Sequence, residues 1–221
     1  MSGYLEKGIW KTGWYDTRRT GGEFVRTGAG FRNWVSADGS SGFKAEAQRY
    51  HLYASLACPW AHRTLIFRTL KRLEQVISLS IVAPVMQDDG WEFSDGPGCI
   101  PDTVNGFRYL REAYTAADPQ FSGRVTVPVL WDRQTGTIVN NESSEIIRML
   151  NSSCAAFTDE RTDYYPAELR GEIDAVNEEV LRNVNNGVYR CGFAGTQEAY
   201  EEAFLDLFGT LDRLEQRLSG R

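Results

Sequence analysis

Apolar positions along this chain change their spacing several times, and each change marks an element. Over residues 1–48 no period is sustained, and Gly, Arg and Thr are interspersed with Trp10, Trp14, Phe31 and Trp34. A disordered arm has no use for so many large aromatics, so this stretch reads as an ordered extension draped over a domain. From "RYHLYAS" the signals sharpen. Tyr50 to Ala54 is a short strand, and Pro59 to Leu73 a helix with Leu65, Ile66, Thr69, Leu70 and Leu73 on one face. "VISLSIV" at 76–82 has the length and β-branched content of a buried strand. "GWEFSDGPGCIPD" at 90–102 is a loop, and Val104 to Ala117 reads as helix until Asp118-Pro119 stops it. "VTVPVLWD" (125–132) and "TIVN" (137–140) form a hairpin pair around "RQTG", and Glu142 to Leu150 is a helix entered from Asn140-Asn141. After the polar run "NSSCAAFTDERTD" (151–163) helical periods take over. Pro166 to Asn185 aligns Leu169, Ile173, Val176 and Val180, with Pro166 suited to a first turn. Thr196 to Leu218 is a further helix with Thr196 as its N-cap. Its apolar positions Ala203, Phe204, Leu207, Phe208, Leu211, Leu214 and Leu218 span a wider face than one neighbour needs.

The order β-α-β-α-β-β-α is that of the thioredoxin fold, an α/β sheet with helices on both faces. An α/β thioredoxin-like N-terminal domain followed by an all-α C-terminal domain is therefore expected. The boundaries are an extension at 1–48, the thioredoxin-like domain at 49–151, a linker at 152–163 and the start of the helical domain at 164–221. Pro128 is the anomaly in this pattern, because proline removes a ladder donor from a strand. It fits either an edge strand or a cis peptide where the chain turns abruptly. The cis form would leave the Val127 backbone open to an extended, peptide-like ligand.

Composition narrows the chemistry. The 221 residues are 42% hydrophobic and 24% charged, ordinary globular values. A net charge of -6 argues against nucleic acid as a partner. The N-terminus lacks the apolar core of a signal peptide, and the most apolar stretch, 76–86, is too short to span a bilayer. The expectation is a soluble, cytoplasmic protein without membrane association. Cys58, Cys99, Cys154 and Cys191 are scattered without metal-site spacing, and His51 and His62 form no HExxH-type motif, so no metal is expected.

In a reducing compartment these thiols stay free, and Cys58 is the one placed for reactivity. Pro59 at the first helical position puts Cys58 near the N-cap, where unpaired N–H groups and the helix dipole favour a thiolate. His62, one turn on, adds at most a minor contribution. Ala61 stands where a second cysteine would close an internal disulfide, so a mixed disulfide at Cys58 must be resolved by an external thiol, glutathione being the obvious cytosolic one. A buried inert cysteine is the competing reading. Glutathione is an anionic peptide, and three other stretches suit it. Val127-Pro128 offers backbone. In "NESS", Glu142 can accept the α-ammonium while Ser143 and the helix N-terminus donate to the carboxylate, although the same residues also make a simple acidic N-cap. Trp91 in "DGWEF" can close over the ligand or serve as core, and Arg124 can add a charge contact.

"YHLYASLACPWAHRTLI", "GRVTVPVLWD", "NNESSEIIRM" and "NNGVYRCGFA" closely resemble the xi class of glutathione transferases, the glutathionyl-hydroquinone reductases. "TGGEFVRTGAGFRNWV" resembles that family's N-terminal extension, and the likeness runs from about Gly8 to the last helix. The resemblance implies reductive deglutathionylation of a glutathionyl-hydroquinone, with glutathione as co-substrate, Cys58 as nucleophile and Tyr189 as proton donor. Read without it, Tyr189 is equally a packing residue. It carries the glutathione site onto Trp91, Arg124, Val125, Thr126, Val127, Glu142 and Ser143. It also implies a homodimer, and relatives that continue well past Arg221, so the helical domain is expected to be incomplete and its apolar face to bind a hydrophobic dye or self-associate. Two other readings stay open: an omega-like thioltransferase or dehydroascorbate reductase, and a non-catalytic binding module. A conjugating transferase is disfavoured, because a cysteine thiolate attacks the glutathione sulfur itself.

Overall fold

In the computed structural model, which describes residues 3–220, the chain divides into two units. One takes the residues up to Trp14 together with Ala29–Tyr164; the other takes Tyr15–Gly28 together with the chain from Tyr165 on.

The first unit opens with an antiparallel hairpin, β1 (Gly3–Glu6) and β2 (Ile9–Thr12), turned at Lys7-Gly8. Leu5 of β1 is buried in the unit's core, the first sign that the extension is structural. Short parallel strands β3 (Val35–Ser36) and β4 (Phe43–Lys44) follow. Then come β5 (Tyr50–Ala54), α1 (Pro59–Leu70), β6 (Ser78–Ile81), α2 (Leu110–Ala117), β7 (Gly123–Arg124), β8 (Val129–Asp132), β9 (Thr137–Asn140) and α3 (Ser143–Ser152). The main sheet has the order β6-β5-β8-β9, with β5 and β6 parallel and the other pairs antiparallel. Every residue of β5 is buried, as a strand covered on both faces requires. Alternation sorts the side chains: Tyr53, Val129, Trp131 and Ile138 join Leu110, Ala113 and Tyr114 of α2, while Tyr50, Leu52, Leu130 and Val139 join Ile146, Met149 and Leu150 of α3. This is the thioredoxin-like arrangement expected from the element order.

Three local expectations are corrected. The helix foreseen over 104–117 begins only at Leu110. Asp102 captures the preceding backbone, accepting from the N–H groups of Val104 (3.0 Å), Asn105 (3.3 Å) and Phe107 (3.1 Å), and Gly106 takes a positive φ. In α1 the inward stripe is Ala61, Thr64 and Leu65, whereas Ile66 and Leu70 lie on the exposed side. Of the strand foreseen over 125–132 only Val129–Asp132 joins the main sheet, after a cis Val127–Pro128 peptide, while Gly123–Arg124 just ahead of it pairs with β1.

The second unit contains α4 (Arg170–Glu179), α5 (Gly187–Gly192) and α6 (Gln197–Ser219). The single helix expected over 166–185 is instead a 3-10 turn at Ala167–Leu169, then α4, then a π-helical stretch at Val180–Asn185. Thr196 caps α6, its hydroxyl accepting from the Ala199 N–H at 3.3 Å. The buried stripe of α6 is narrow and small-sided: Ala199, Ala203, Leu207 and Thr210. Phe204, Phe208, Leu211 and Leu218, which belong to the wide apolar face read from the sequence, are exposed. Residues 15–28 belong to this unit through Phe24, which is buried against Tyr15, Tyr189 and Phe193.

Candidate functional site

Cys58 is the N-cap of α1, in extended backbone conformation ahead of Pro59. Its carbonyl accepts the His62 N–H at 3.0 Å, so the chain enters the helix directly after the thiol. The half-buried Sγ lies 3.6 Å from the Val127 carbonyl oxygen, to which the S–H donates. The thiol and the cis-proline loop are therefore in contact, and the positive end of α1 faces the sulfur. The imidazole-bearing His62 is exposed.

The cis peptide turns the Val127 backbone out of the main sheet, and its N–H makes no hydrogen bond to another described residue. Val125 and Val127 bury their side chains in the core next to α2. Thr126 between them is held at both its N–H and its carbonyl by the Tyr114 hydroxyl. Trp91 is half-buried and packs on the same apolar cluster as Cys58. Its loop is braced by the extension: the Trp10 indole donates to the Asp88 carbonyl (2.9 Å), and its ring lies so close to Gly90 that a Cβ there would sit 2.9 Å from a ring carbon. With φ at +87°, position 90 requires glycine on two counts.

At the head of α3, Glu142 is the N-cap, its carboxylate accepting from the Ser144 N–H (3.1 Å) and hydroxyl (3.0 Å). Ser143 is buried, and its Oγ accepts from Nε (3.0 Å) and Nη2 (2.7 Å) of Arg63. Two accepted bonds fill both lone pairs and leave the hydroxyl proton to be donated elsewhere. Arg63 also lies 3.7 Å from the Glu142 carboxylate. Burial lowers its guanidinium below its ordinary value, Glu142 works against that, and Arg148 adds to it. Arg63 was not singled out from the sequence. The available signal was a charged residue beside the inward stripe of α1, in the turn after Cys58.

Arg124 Nη1 donates to the carbonyls of Gly3 (3.1 Å) and Gly13 (2.8 Å), and the guanidinium lies over the Tyr4 ring, which ties the start of the Val125–Val127 segment to the extension. Tyr189 belongs to the helical unit, where it stacks on Phe24 and lies under the Arg26 guanidinium at 5.2 Å. Of the other thiols, Cys154 is buried and pushed up to about 11 by that burial, and burial also raises Cys191, against a smaller opposing effect of Arg190. Among the described residues no group of three or more His, Cys, Asp or Glu side chains is placed to hold a metal ion. No described helix is long and apolar enough to cross a membrane.

Residues 57–153 match the family "Glutathione S-transferase, N-terminal domain". The chain is 55% identical over 222 residues to the glutathionyl-hydroquinone reductase PcpF of Sphingobium chlorophenolicum, covering 99% of this chain and 69% of that one. It is 53% identical to the glutathionyl-hydroquinone reductase YqjG of Escherichia coli K12, covering 98% of this chain and 68% of YqjG. The glutathione-bound structure of YqjG superposes with a TM-score of 0.87 over 99% of this chain and 68% of that chain, at 49% identity. A xi-class glutathione transferase from Natrialba magadii superposes with a TM-score of 0.89 at 46% identity, covering 99% of this chain and 66% of that one. The chain thus spans about two thirds of the length of these relatives.

Proposed function

Because this chain belongs to the xi class of glutathione transferases, the glutathionyl-hydroquinone reductases, we propose that it reduces glutathionyl-hydroquinones to hydroquinones at the expense of glutathione. The observation that carries the proposal is the position of the Cys58 sulfur, at the N-terminus of α1 and 3.6 Å from the carbonyl of the residue preceding cis-Pro128. A glutathionyl group whose cysteine backbone pairs with Val127 brings its own sulfur to Cys58. Its γ-glutamyl end then reaches α3, where Glu142 accepts the α-ammonium and the spare proton of Ser143 is donated to the carboxylate. Trp91 closes over the ligand from the side of its loop. Arg124, Val125 and Thr126 complete the glutathione site, with Arg124 adding a charge contact.

The Cys58 thiolate attacks the sulfur of the aryl thioether. A sulfur–sulfur bond forms, the carbon–sulfur bond breaks, and the electron pair passes to the aromatic carbon, which takes a proton from the Tyr189 phenol. The hydroquinone leaves, and Cys58 carries glutathione as a mixed disulfide. A second glutathione gives its thiol proton to the Tyr189 phenolate, and its thiolate attacks the bound glutathione sulfur, breaking the bond to Cys58, releasing oxidised glutathione and restoring the Cys58 thiolate. No metal enters either step. The proposal includes a cytoplasmic location, where glutathione is the abundant thiol, and assembly as a homodimer.

The test is a single turnover of the protein with one equivalent of a glutathionyl-hydroquinone, read by intact mass and peptide mapping. A glutathione adduct on Cys58, removed by added glutathione and absent in Cys58→Ser, supports the reading. Labelling of Cys58 by oxidised glutathione but not by the aryl thioether would replace it with a thioltransferase. No labelling by either reagent would leave only a binding module.

A further inference from the structure

Contacts to the N–H, carbonyl and hydroxyl (3.3 Å) of Thr126 and to Asn141 meet on one buried oxygen of the first unit. Tyr114, on α2, is fully buried, and its hydroxyl donates to the Thr126 carbonyl at 2.9 Å. The same oxygen accepts from the Thr126 N–H (3.2 Å) and from Asn141 Nδ2 (3.0 Å). A phenol has one proton to give and two lone pairs to fill, so this oxygen is saturated. Burial raises its phenol above its ordinary value, against the lowering effect of its bonds to Thr126 and Asn141, so it remains a neutral donor.

The Asn141 amide has a single consistent orientation. Its Oδ1 accepts the Phe31 N–H at 3.0 Å, which turns Nδ2 toward Tyr114. The Asn141 N–H returns a bond to the Phe31 carbonyl (3.1 Å), and the Asn33 N–H donates to Val139 (3.0 Å). Residues 31–33 therefore run as a short added rung along β9. The Phe31 ring meets Tyr114 edge-on and stacks on Phe121, at 5.7 and 5.3 Å between centroids. Asn141 immediately precedes Glu142 and Ser143; Thr126 immediately precedes Val127. One oxygen thus ties together the two segments that, on the reading above, hold the two ends of glutathione.

We propose that Tyr114 and Asn141 are positioning residues for glutathione, through which residues 31–33 of the N-terminal extension set the spacing between the Val127 backbone and the Glu142–Ser143 anchor. The proposal rests on the glutathione reading of that site. Neither residue needs to touch the ligand. Removing the phenol oxygen takes a partner from the Thr126 N–H, the Thr126 carbonyl and Asn141, and leaves the longer Asn141 Nδ2–Thr126 Oγ1 contact of 3.5 Å to join the loop to the head of α3. The effect falls on recognition of the peptide more than on the sulfur chemistry, because Cys58 is placed by the N-terminus of α1 and its contact with the loop is the long one to the Val127 carbonyl.

The experiment is calorimetric titration of the whole chain with glutathione, in wild type, Tyr114→Phe, Asn141→Ala and the double variant. Alongside it, the rate of Cys58 alkylation by iodoacetamide, a small neutral probe, is measured. The expected result is a Kd raised about tenfold in Tyr114→Phe and about threefold to tenfold in Asn141→Ala. The double variant should be little worse than Tyr114→Phe, since both changes break one connection. Alkylation should stay within about twofold of wild type. A lowered thermal midpoint with an unchanged Kd in the folded variants would make the network merely structural and overturn the proposal. Asn141→Ala keeps both Tyr114–Thr126 bonds, so should Tyr114→Phe not fold, a wild-type Kd in Asn141→Ala is by itself enough to overturn it. A wild type that binds no glutathione removes the glutathione reading and the proposal together, whereas normal wild-type binding with unaltered variants removes the proposal alone.

Discussion

Acidification through the histidine range should destabilise the first unit by way of His51. This residue of β5 is fully buried, with Nδ1 2.6 Å from Ser78 Oγ and Nε2 2.9 Å from Ser80 Oγ. The Ser80 hydroxyl donates its proton to the Pro101 carbonyl (2.9 Å), so at Nε2 the imidazole must be the donor. Nδ1 is then the acceptor, taking the Ser78 proton, and the neutral Nε2–H tautomer is the one that fits. Protonation would put a second N–H against Ser78, whose hydroxyl would have to turn and accept, and would place a charge on a buried ring. Burial accordingly pushes His51 down from 6.5 to about 4, with Asp102 opposing the shift and Arg133 and Arg68 adding to it.

With the folded value below the unfolded one, the unfolded chain binds the extra proton first. The stabilisation is fully present above about pH 6.5 and is lost as the pH falls toward 4. A gap of about 2.5 units at roughly 1.4 kcal/mol per unit gives about 3 kcal/mol in all. Urea unfolding at pH 7.5 and pH 4.5, followed by near-ultraviolet circular dichroism, should show most of that loss. At a slope of about 3 kcal/mol per molar urea, the midpoint should fall by roughly 1 M. The lowered carboxyls Asp132 and Glu145 titrate below their ordinary values of 3.8 and 4.5, so their contribution is lost at lower pH. His51→Gln should be less stable at pH 7.5 and lose the slope between 6.5 and 4.5. An identical slope in wild type and variant, or a native-state His51 resonance titrating near 6.5, would refute the argument.

Two further outcomes follow from the candidate site. Tyr189→Phe should lower kcat for a glutathionyl-hydroquinone by about a hundredfold or more. It should leave reduction of a simple glutathione mixed disulfide unchanged, since that reaction protonates no carbon; equal loss on both substrates would deny the phenol its role. Arg63→Ala removes both bonds to Ser143 and should raise the Kd for glutathione about tenfold, with Arg63→Lys recovering part of it. An unaltered Kd would show that the Ser143 hydroxyl needs no help to face the ligand.

What was legible in the sequence was local. Cys58-Pro59 announces a helix start, Pro128 in an otherwise good strand announces the turn of the backbone, and Thr196 announces the cap of α6. What was misread depended on groups far along the chain. Val104–Tyr109 has helical spacing, yet the Asp102 carboxylate competes for its N–H groups, and the Tyr53 hydroxyl fixes that carboxylate from the sheet at 3.2 Å. Ile66 and Leu70 look like core because periodicity cannot tell which of two apolar stripes faces the sheet. The π-helical stretch at Val180–Asn185 gives no sign in composition; it coincides with Asn183, buried and bonded to Thr210 of α6 at 3.0 Å. Tyr114 and Asn141 were invisible as a pair, since α2 and the head of α3 meet only in three dimensions.

The division of the first 28 residues has a consequence for how the protein is made. A chain that leaves the ribosome N-terminus first presents β1, β2 and the Phe24 segment before their partners later in the chain exist. The hairpin can close on itself at once, but its third strand, β7, lies more than a hundred residues later. Tyr15–Gly28 must wait longer, until the helices beyond Tyr165 emerge. At about 5–20 residues per second that is on the order of ten to thirty seconds during which Phe24 has no pocket. Folding during synthesis is thus interlaced: the α/β unit can condense around β5, α1 and β8 while Tyr15–Gly28, made before it, still waits for helices made after it.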